Sequence, residues 1–374
     1  MVDLARKNLL HDKLRFLITV AGVAFAVTLV LVQVGLFEGL LDNSTVTIQH
    51  LDADLWVTSR NTPNVDFAQS FSETAVQRVR SIPGVERADN LLVVFANVSL
   101  PSGAKETAVI YGLENFGRWG FPWNVVEGDT RDLRSGRYML LDESARKRFG
   151  AFATGDYREI DGQRFQIIGR TRDALSFTTT PLAFLDYHRT QELYGSLSGK
   201  TSYVLVKLAP GSDVRAVQAE IRRRLPFNDV HTKQEWIDQS RGYWVVSTGL
   251  GLNMGVTVFL GCLVGIVIVA QTLYTSTVEN IKQFGTVKAI GGGNGDIYRI
   301  LGQQATIAAV CGFALGGAMT VAMRPLIATL DLKILLSPQF AALVFAGTIV
   351  MCLASAMISF RKVASIDPAL VFRT

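Results

Sequence analysis

Phe16–Phe37, Gly242–Val278 and Leu301–Met323 contain no Asp, Glu, Lys or Arg, and this pattern leaves the chain few ways to fold. Each run is long enough to cross a bilayer, which takes about 20 apolar residues. A fourth uncharged run covers 340–360. Inside lipid the backbone must satisfy its own polar groups, so runs of this kind form helices. Only 18% of the 374 residues are charged and the mean hydropathy is +0.27, as befits an integral membrane protein. Phe16–Phe37 is longer than a signal-peptide core and lacks a small-residue cleavage pattern, so it reads as a retained span.

The net charge of +5 marks membrane sidedness here, not a nucleic-acid surface. Arg6, Lys7, Lys13 and Arg15 precede the first span, Lys282, Lys288 and Arg299 lie between the second and third, and Arg361, Lys362 and Arg373 follow the fourth. The connection between the third and fourth spans carries only Arg324 and Lys333. Positive charge therefore predicts cytoplasmic termini, a cytoplasmic central segment and a large domain on the other side. The predicted order is an interfacial helix 1–15, span 16–41, extracytoplasmic domain with stalk 42–241, and stalk continuation with the second span 242–278. A cytoplasmic segment 279–299 comes next, then span 300–325 ended by Arg324-Pro325, external loop 326–339, span 340–360 and a basic tail 361–374. Glycines at 249, 251, 255, 261 and 265, and at 312, 316 and 317, suit close helix approach, either within one subunit or between two.

Residues 42–241 are polar, rich in turns and long enough for an independent domain. Ala53–Ser59, Leu91–Leu100 and Glu106–Leu113 read as strands, the last two joined as a hairpin at Pro101-Ser102-Gly103. Ser72–Ile82 reads as a helix capped by Ser72 and Ser212–Leu225 as another, with Tyr138–Leu141, Phe165–Gly169 and Ser202–Leu208 as further strands. The pattern predicts an α+β domain: a strand–helix–strand unit at each end and a strand-rich insertion near 120–200. Thr232–Gly249 returns to helical spacing through Trp236, Tyr243 and Trp244 and predicts a stalk helix continuous with the second span.

Two stretches imitate an ATPase. Gly195-Ser-Leu-Ser-Gly-Lys-Thr201 has one residue too few between its glycines for a phosphate-binding loop. Tyr138–Glu143 resembles a magnesium-binding strand but precedes that loop, on the side of the membrane without ATP. His11, His50, His188 and His231 have no partners at metal-ligand spacing, and Cys262, Cys311 and Cys352 all fall in apolar runs, as packing residues would. No Gly-x-Ser-x-Gly elbow occurs, and the spans lack the internal charges that ion-coupled carriers need. Gln33 and Gln271, the most polar side chains at depth, are expected to bond neighbouring helices. Neither a catalytic centre nor a bound cofactor or metal is expected.

The most informative short stretch is Glu279–Arg299, ENIKQFGTVKAIGGGNGDIYR. Ile281, Phe284, Val287 and Ile290 keep helical spacing and Gly291–Gly295 breaks it, which predicts a short amphipathic helix at the cytoplasmic surface. Its apolar face needs lipid headgroups or a protein partner. The stretch is similar to the E-x-x-x-E-F-G-x-[LV]-[KR]-A-[IL]-G segment of the FtsX/MacB-type permeases of ABC transporters, with Gln283 where an acidic residue is common. Ala5–Leu9 before the first span and Asp367-Pro368-Ala369 in the tail extend the resemblance to the whole chain, and the DevC-like branch is the nearest fit.

This resemblance implies a membrane α-helical protein of four transmembrane helices, with a large α+β extracytoplasmic domain, the MacB-like periplasmic core, between helices 1 and 2. It implies a homodimer in the cell (inner) membrane, bound to two copies of a separate ATPase subunit that uses ATP. In Gram-negative members a membrane-fusion adaptor and an outer-membrane channel are further components. The coupling residues would be Glu279, Ile281, Lys282, Phe284, Gly285, Val287, Lys288, Ile290 and Gly291, with Trp236, Tyr243 and Trp244 in the stalk. The implied activity is export of a lipidic, amphiphilic or peptide cargo by mechanotransmission. The alternatives are an FtsX-like signalling scaffold that regulates a periplasmic partner and a membrane-anchored enzyme; copurification with an ATPase separates the transporter from the enzyme.

Overall fold

A computed structural model describes residues 13–174, 176–177, 180–279, 286, 293–330 and 332–364. The chain runs α1 (Lys13–Asn43), α2 (Val46–His50), β1 (Leu55–Ser59), β2 (Phe71–Ser72), α3 (Ala75–Arg80), β3 (Val85–Ser99), β4 (Lys105–Leu113), β5 (Val125–Glu127) and β6 (Tyr138–Asp142). It continues through α4 (Arg146–Phe149), β7 (Tyr157–Ile160), β8 (Gln163–Thr171), β9 (Leu182–Asp186), α5 (Tyr187–Gln191), β10 (Lys200–Thr201), β11 (Tyr203–Leu208), α6 (Val214–Arg224), β12 (Asn228–Thr232) and α7 (Lys233–Gly242). The remaining long helices are α8 (Leu250–Glu279), α9 (Asn294–Ala328) and α10 (Pro338–Ala364). Two units result, one of residues 1–39 and 251–374, the other of residues 40–250.

In the helical unit, α1, α8, α9 and α10 are each long and apolar enough to span a membrane. Glycines set how closely they meet. A Cβ built at Gly316 of α9 would stand 2.8 Å from the Ala24 carbonyl oxygen and 2.9 Å from Val27 Cβ on α1. Gly312, Gly261 and Gly265 likewise face α1 residues, whereas Gly255 and Gly317 meet open space. Thr28 Oγ1 donates to Ala24 O at 2.7 Å and approaches Gly316 O at 3.2 Å. Gln33 reaches the neighbouring helix, its Nε2 lying 2.7 Å from Met254 Sδ. The third span does not end at Arg324-Pro325: α9 runs on to Ala328 with Pro325 inside it. Pro325 lacks the N–H that would bond back to residue 321 and its ring crowds the turn before it, yet the helix continues for three residues past it.

In the α+β unit the sheet order is β12-β1-β11-β3-β4-β9-β6-β8-β5, with β7 pairing β3 and β8. β1 is antiparallel to both β11 and β12, and β11 to β3, so the crossovers through α3 and α6 join parallel strands. These are the two predicted strand–helix–strand units, interleaved. The insertion between β3 and β11 continues the same sheet, with β4–β9 and β6–β8 parallel. Period-two alternation divides the core. Leu55 and Val57 pack under α3 and α6 with Val79, Val206 and Ile221, while Trp56 enters the opposite face with Tyr111, Trp119, Phe184, Tyr203 and Trp236.

Several boundaries differ from the sequence reading. Ser72 lies in β2 and bonds Thr74, and the helix begins only at Ala75. At the second predicted helix the cap is Asp213, which accepts from Arg215 N and Ala216 N. β9 and β12 escaped sequence recognition. Leu182–Asp186 is buried at every position, and Asn228–Thr232 is polar at all but Val230, so neither shows alternation. The Gly195–Thr201 stretch is a turn leading into a strand, with Gly199 at φ +67°. No helix N-terminus stands there to receive a phosphate.

Candidate functional site: the exit segment and the start of the coupling segment

Thr232 closes β12 and opens α7 with a reciprocal cap. Its side chain accepts from Glu235 N at 3.2 Å, and the Glu235 carboxylate accepts from Thr232 N at 2.8 Å. That N–H, and after it Arg215 and Gln218, holds the Glu235 carboxyl down at about 2. The cap fixes where α7 starts, and therefore that Trp236 points inward. Trp236 is fully buried, stacked on His231 at 5.0 Å and tilted against Tyr203 at 6.0 Å. Burial lowers the His231 pKa, which keeps that ring neutral and able to stack.

After α7 the chain widens into a π-helical turn, Tyr243–Ser247. Turns of this kind insert one residue and re-aim the chain beyond them. Here the turn carries Trp244 flat against Phe177, with ring centroids 3.7 Å apart, and sets Tyr243 and Trp244 at 6.0 and 5.8 Å from Phe67. Phe67 also meets Phe95 of β3 at 6.1 Å. Gly249 then adopts φ +71° before α8 begins. The predicted continuous stalk helix is therefore interrupted. The left-handed residue, which glycine takes without a Cβ clash, separates the gripped turn from the span.

Trp236 thus packs in the core of the α+β unit, and Tyr243 and Trp244 against its aromatic residues Phe67 and Phe177. Their partners Phe67 and Phe177 were missed because both sit in turn-rich loops, where no periodicity marks an inward residue. At the other end of α8, Glu279 forms an ion pair with Arg15 of α1. That pair ties the end of α8 to the basic start of the first span. Ile281, Lys282, Phe284, Gly285, Val287, Lys288, Ile290 and Gly291 lie outside the described residues. Asp296, on the far side, accepts from Gly293 N at 2.9 Å and starts α9.

The family profile of the MacB-like periplasmic core domain matches residues 16–224, and that of the FtsX-like permease C-terminal region matches residues 255–368. The chain belongs to the FtsX/MacB-type ABC transporter permeases. An uncharacterized ABC transporter permease of Mycobacterium tuberculosis is 24% identical over 377 residues, covering 100% of this chain and 99% of the relative. One of Methanocaldococcus jannaschii is 19% identical over 352 residues, covering 89% and 86%. The periplasmic region of MacB from Actinobacillus actinomycetemcomitans aligns with TM-score 0.40 and 12% identity over 50% of this chain and 92% of its own. The extracellular domain of YknZ, a noncanonic ABC-type transporter of Gram-positive bacteria, aligns with TM-score 0.37 and 17% identity over 48% and 99%. The permease is thus a membrane protein with four spanning helices and an extracytoplasmic α+β domain, and it works with a partner ATPase subunit.

Proposed function

We propose that the permease is a homodimeric exporter subunit of the DevC-like branch, which converts ATP hydrolysis by two separate ATPase subunits into movement of its extracytoplasmic domain. The observation that carries this reading is the pairing of a gripped segment and a long helix. Trp244, stacked on Phe177 at 3.7 Å, is succeeded within a few residues by the 30-residue α8, a rod of about 45 Å at 1.5 Å per residue. Its far end is Glu279, where the coupling segment begins. A rod of this kind transmits displacement without a polar pore, and the uncharged spans agree with a cargo that does not cross through them. Lipidic, amphiphilic or peptide cargo suits that route. A membrane-fusion adaptor and an outer-membrane channel complete it where there is an outer membrane. ATP is bound by the partner ATPase, and the permease itself binds no cofactor. The basic residues flanking the spans support a cytoplasmic position for both termini.

In this scheme Phe284 and its neighbours Ile281, Val287 and Ile290 enter a pocket on the ATPase, with Glu279, Lys282, Gly285, Lys288 and Gly291 shaping the element. Phe284→Asp puts an unpaired carboxylate into an interface core, which costs several kcal/mol. The variant is expected to express and dimerise normally while losing ATPase copurification and export. An ATPase retained and normally coupled in that variant overturns the docking role of this segment.

A further inference from the structure

Asp66 is a carboxylic acid 6% exposed in the core of the extracytoplasmic domain, on the same loop as Phe67. The loop is built tightly: Asn64 Oδ1 accepts from Asp66 N at 3.0 Å and from Phe67 N at 2.9 Å. The Tyr203 hydroxyl reaches the carbonyls of Asn64 and Val65 at 3.2 and 2.9 Å. We propose that Asp66 is a proton-operated latch, whose neutral carboxyl lets this loop seat and so lets Phe67 and Phe177 hold Trp244 at the root of the exit segment.

The groups around the carboxyl explain why its charge matters. The main-chain N–H of Phe177 donates to it, and the titratable groups that face it are the phenols of Tyr111 on β4 and Tyr203 on β11. Among the described residues no cation faces it. Both phenols are pushed up by burial and by Asp66 itself, so they stay neutral over the physiological range. The Tyr203 hydroxyl is engaged with loop carbonyls, and that of Tyr111 meets Thr47 Oγ1 at 3.3 Å. Among the described residues an ionised Asp66 therefore has one N–H donor, that of Phe177, where a buried carboxylate needs several. Burial raises its pKa to about 7.

Linkage gives the sign. The seated loop holds its proton up to about pH 7, whereas an unseated, hydrated Asp66 releases it near the ordinary value of 3.8. Seating therefore takes up a proton. The latch is fully favoured below about pH 4, loses stability as pH rises to about 7, and loses no more above that. The bond from Phe177 N–H ties this titration to the grip, because the same residue's ring stacks on Trp244. The Trp244 indole N–H is buried without an acceptor among the described residues. Among the described residues the grip on Trp244 is made by ring contacts with Phe177 and Phe67, which a shift of either loop weakens.

The latch bears on transport only through the mechanical reading proposed for this permease, so its test reads the grip directly. Hydrogen–deuterium exchange of the full-length permease in nanodiscs, corrected for intrinsic rate, is monitored at residues 60–70 and 243–249. Between about pH 5.5 and about pH 8.5 the opening constant is expected to rise roughly 30-fold. In Asp66→Asn, which cannot ionise, both segments should exchange slowly and equally at the two pH values. A wild type without the pH dependence, or an Asp66→Asn variant that retains it, overturns the latch. Should Asp66→Asn fail to fold, Phe67→Ala serves instead: 60–70 should keep its pH dependence while 243–249 exchange fast at both pH values. Slow exchange of 243–249 in that variant overturns the proposal as well. No arm requires an ATPase, so loss of nucleotide coupling would count against the transport reading and leave the latch standing.

Discussion

The helical unit and the α+β unit both reach close packing, by opposite means. In the α+β unit the core is filled with bulk: Trp56, Trp119, Trp236, Tyr111 and Phe184 are all buried to within a percent or so. In the helical unit the contacts are made by what is missing, since Gly261, Gly265, Gly312 and Gly316 let other helices touch α1. The solvent explains the difference. In water, removing large rings from solvent is the dominant gain. In lipid the tails are as apolar as the side chains, so helix contact depends on close van der Waals approach and on interhelical polar contacts such as Thr28 Oγ1 to Gly316 O. The same kind of substitution should therefore have opposite meanings in the two units.

The largest effect is expected from removing bulk in the α+β unit. Trp236→Ala should destabilise it by about 3–5 kcal/mol, read as a lowered first transition in thermal unfolding of the full chain, with the helical transition in place. A smaller loss is expected from adding bulk in the helical unit. Gly316→Leu meets the Ala24 carbonyl and Val27, and overpacking of this kind costs about 1–3 kcal/mol, read in the helical transition. Gly255→Leu on the open face should leave that transition unchanged. A loss at Gly255 equal to that at Gly316 would show that small residues matter here for some reason other than contact with α1.

The smallest effect is at the surface. Glu235→Gln keeps the shape of the cap but weakens a charge-assisted bond, a difference of about 1 kcal/mol or less at neutral pH. The Glu235 carboxyl sits at about 2, below its ordinary value. Its contribution is thus fully present above about pH 4.5 and fades as pH falls through about 2. The gap between Glu235→Gln and wild type, measured by denaturant unfolding, should close over that window. A gap independent of pH would assign the loss to geometry and not to charge.

Much of this was legible in the residues. Uncharged runs marked the four helices; short apolar, β-branched stretches such as 53–59 and 202–208, with helical spacing in 212–225, marked much of the βαβ units. Trp236, Tyr243 and Trp244 were recognisable because α7 and the turn after it present them at helical intervals. The break at Gly249 was not, since glycine is common in spans and only its φ distinguishes a hinge from a packing residue. Phe67, Phe177 and Asp66 carried no signal. Each belongs to a loop, and its partners lie far away in sequence.

By itself, then, the sequence determined that the chain spans a membrane four times and where its long helices and several of its strands lie. Those properties are local, set by charge, propensity and period over about 5 to 30 residues, which is the scale of a strand or a span. Tertiary structure alone decided that Gly312 and Gly316 face α1 while Gly317 does not, that Trp244 is held by Phe177, and that the Asp66 carboxyl is dry. A contact between residues distant in sequence depends on how whole elements are placed, and desolvation depends on everything that surrounds a group.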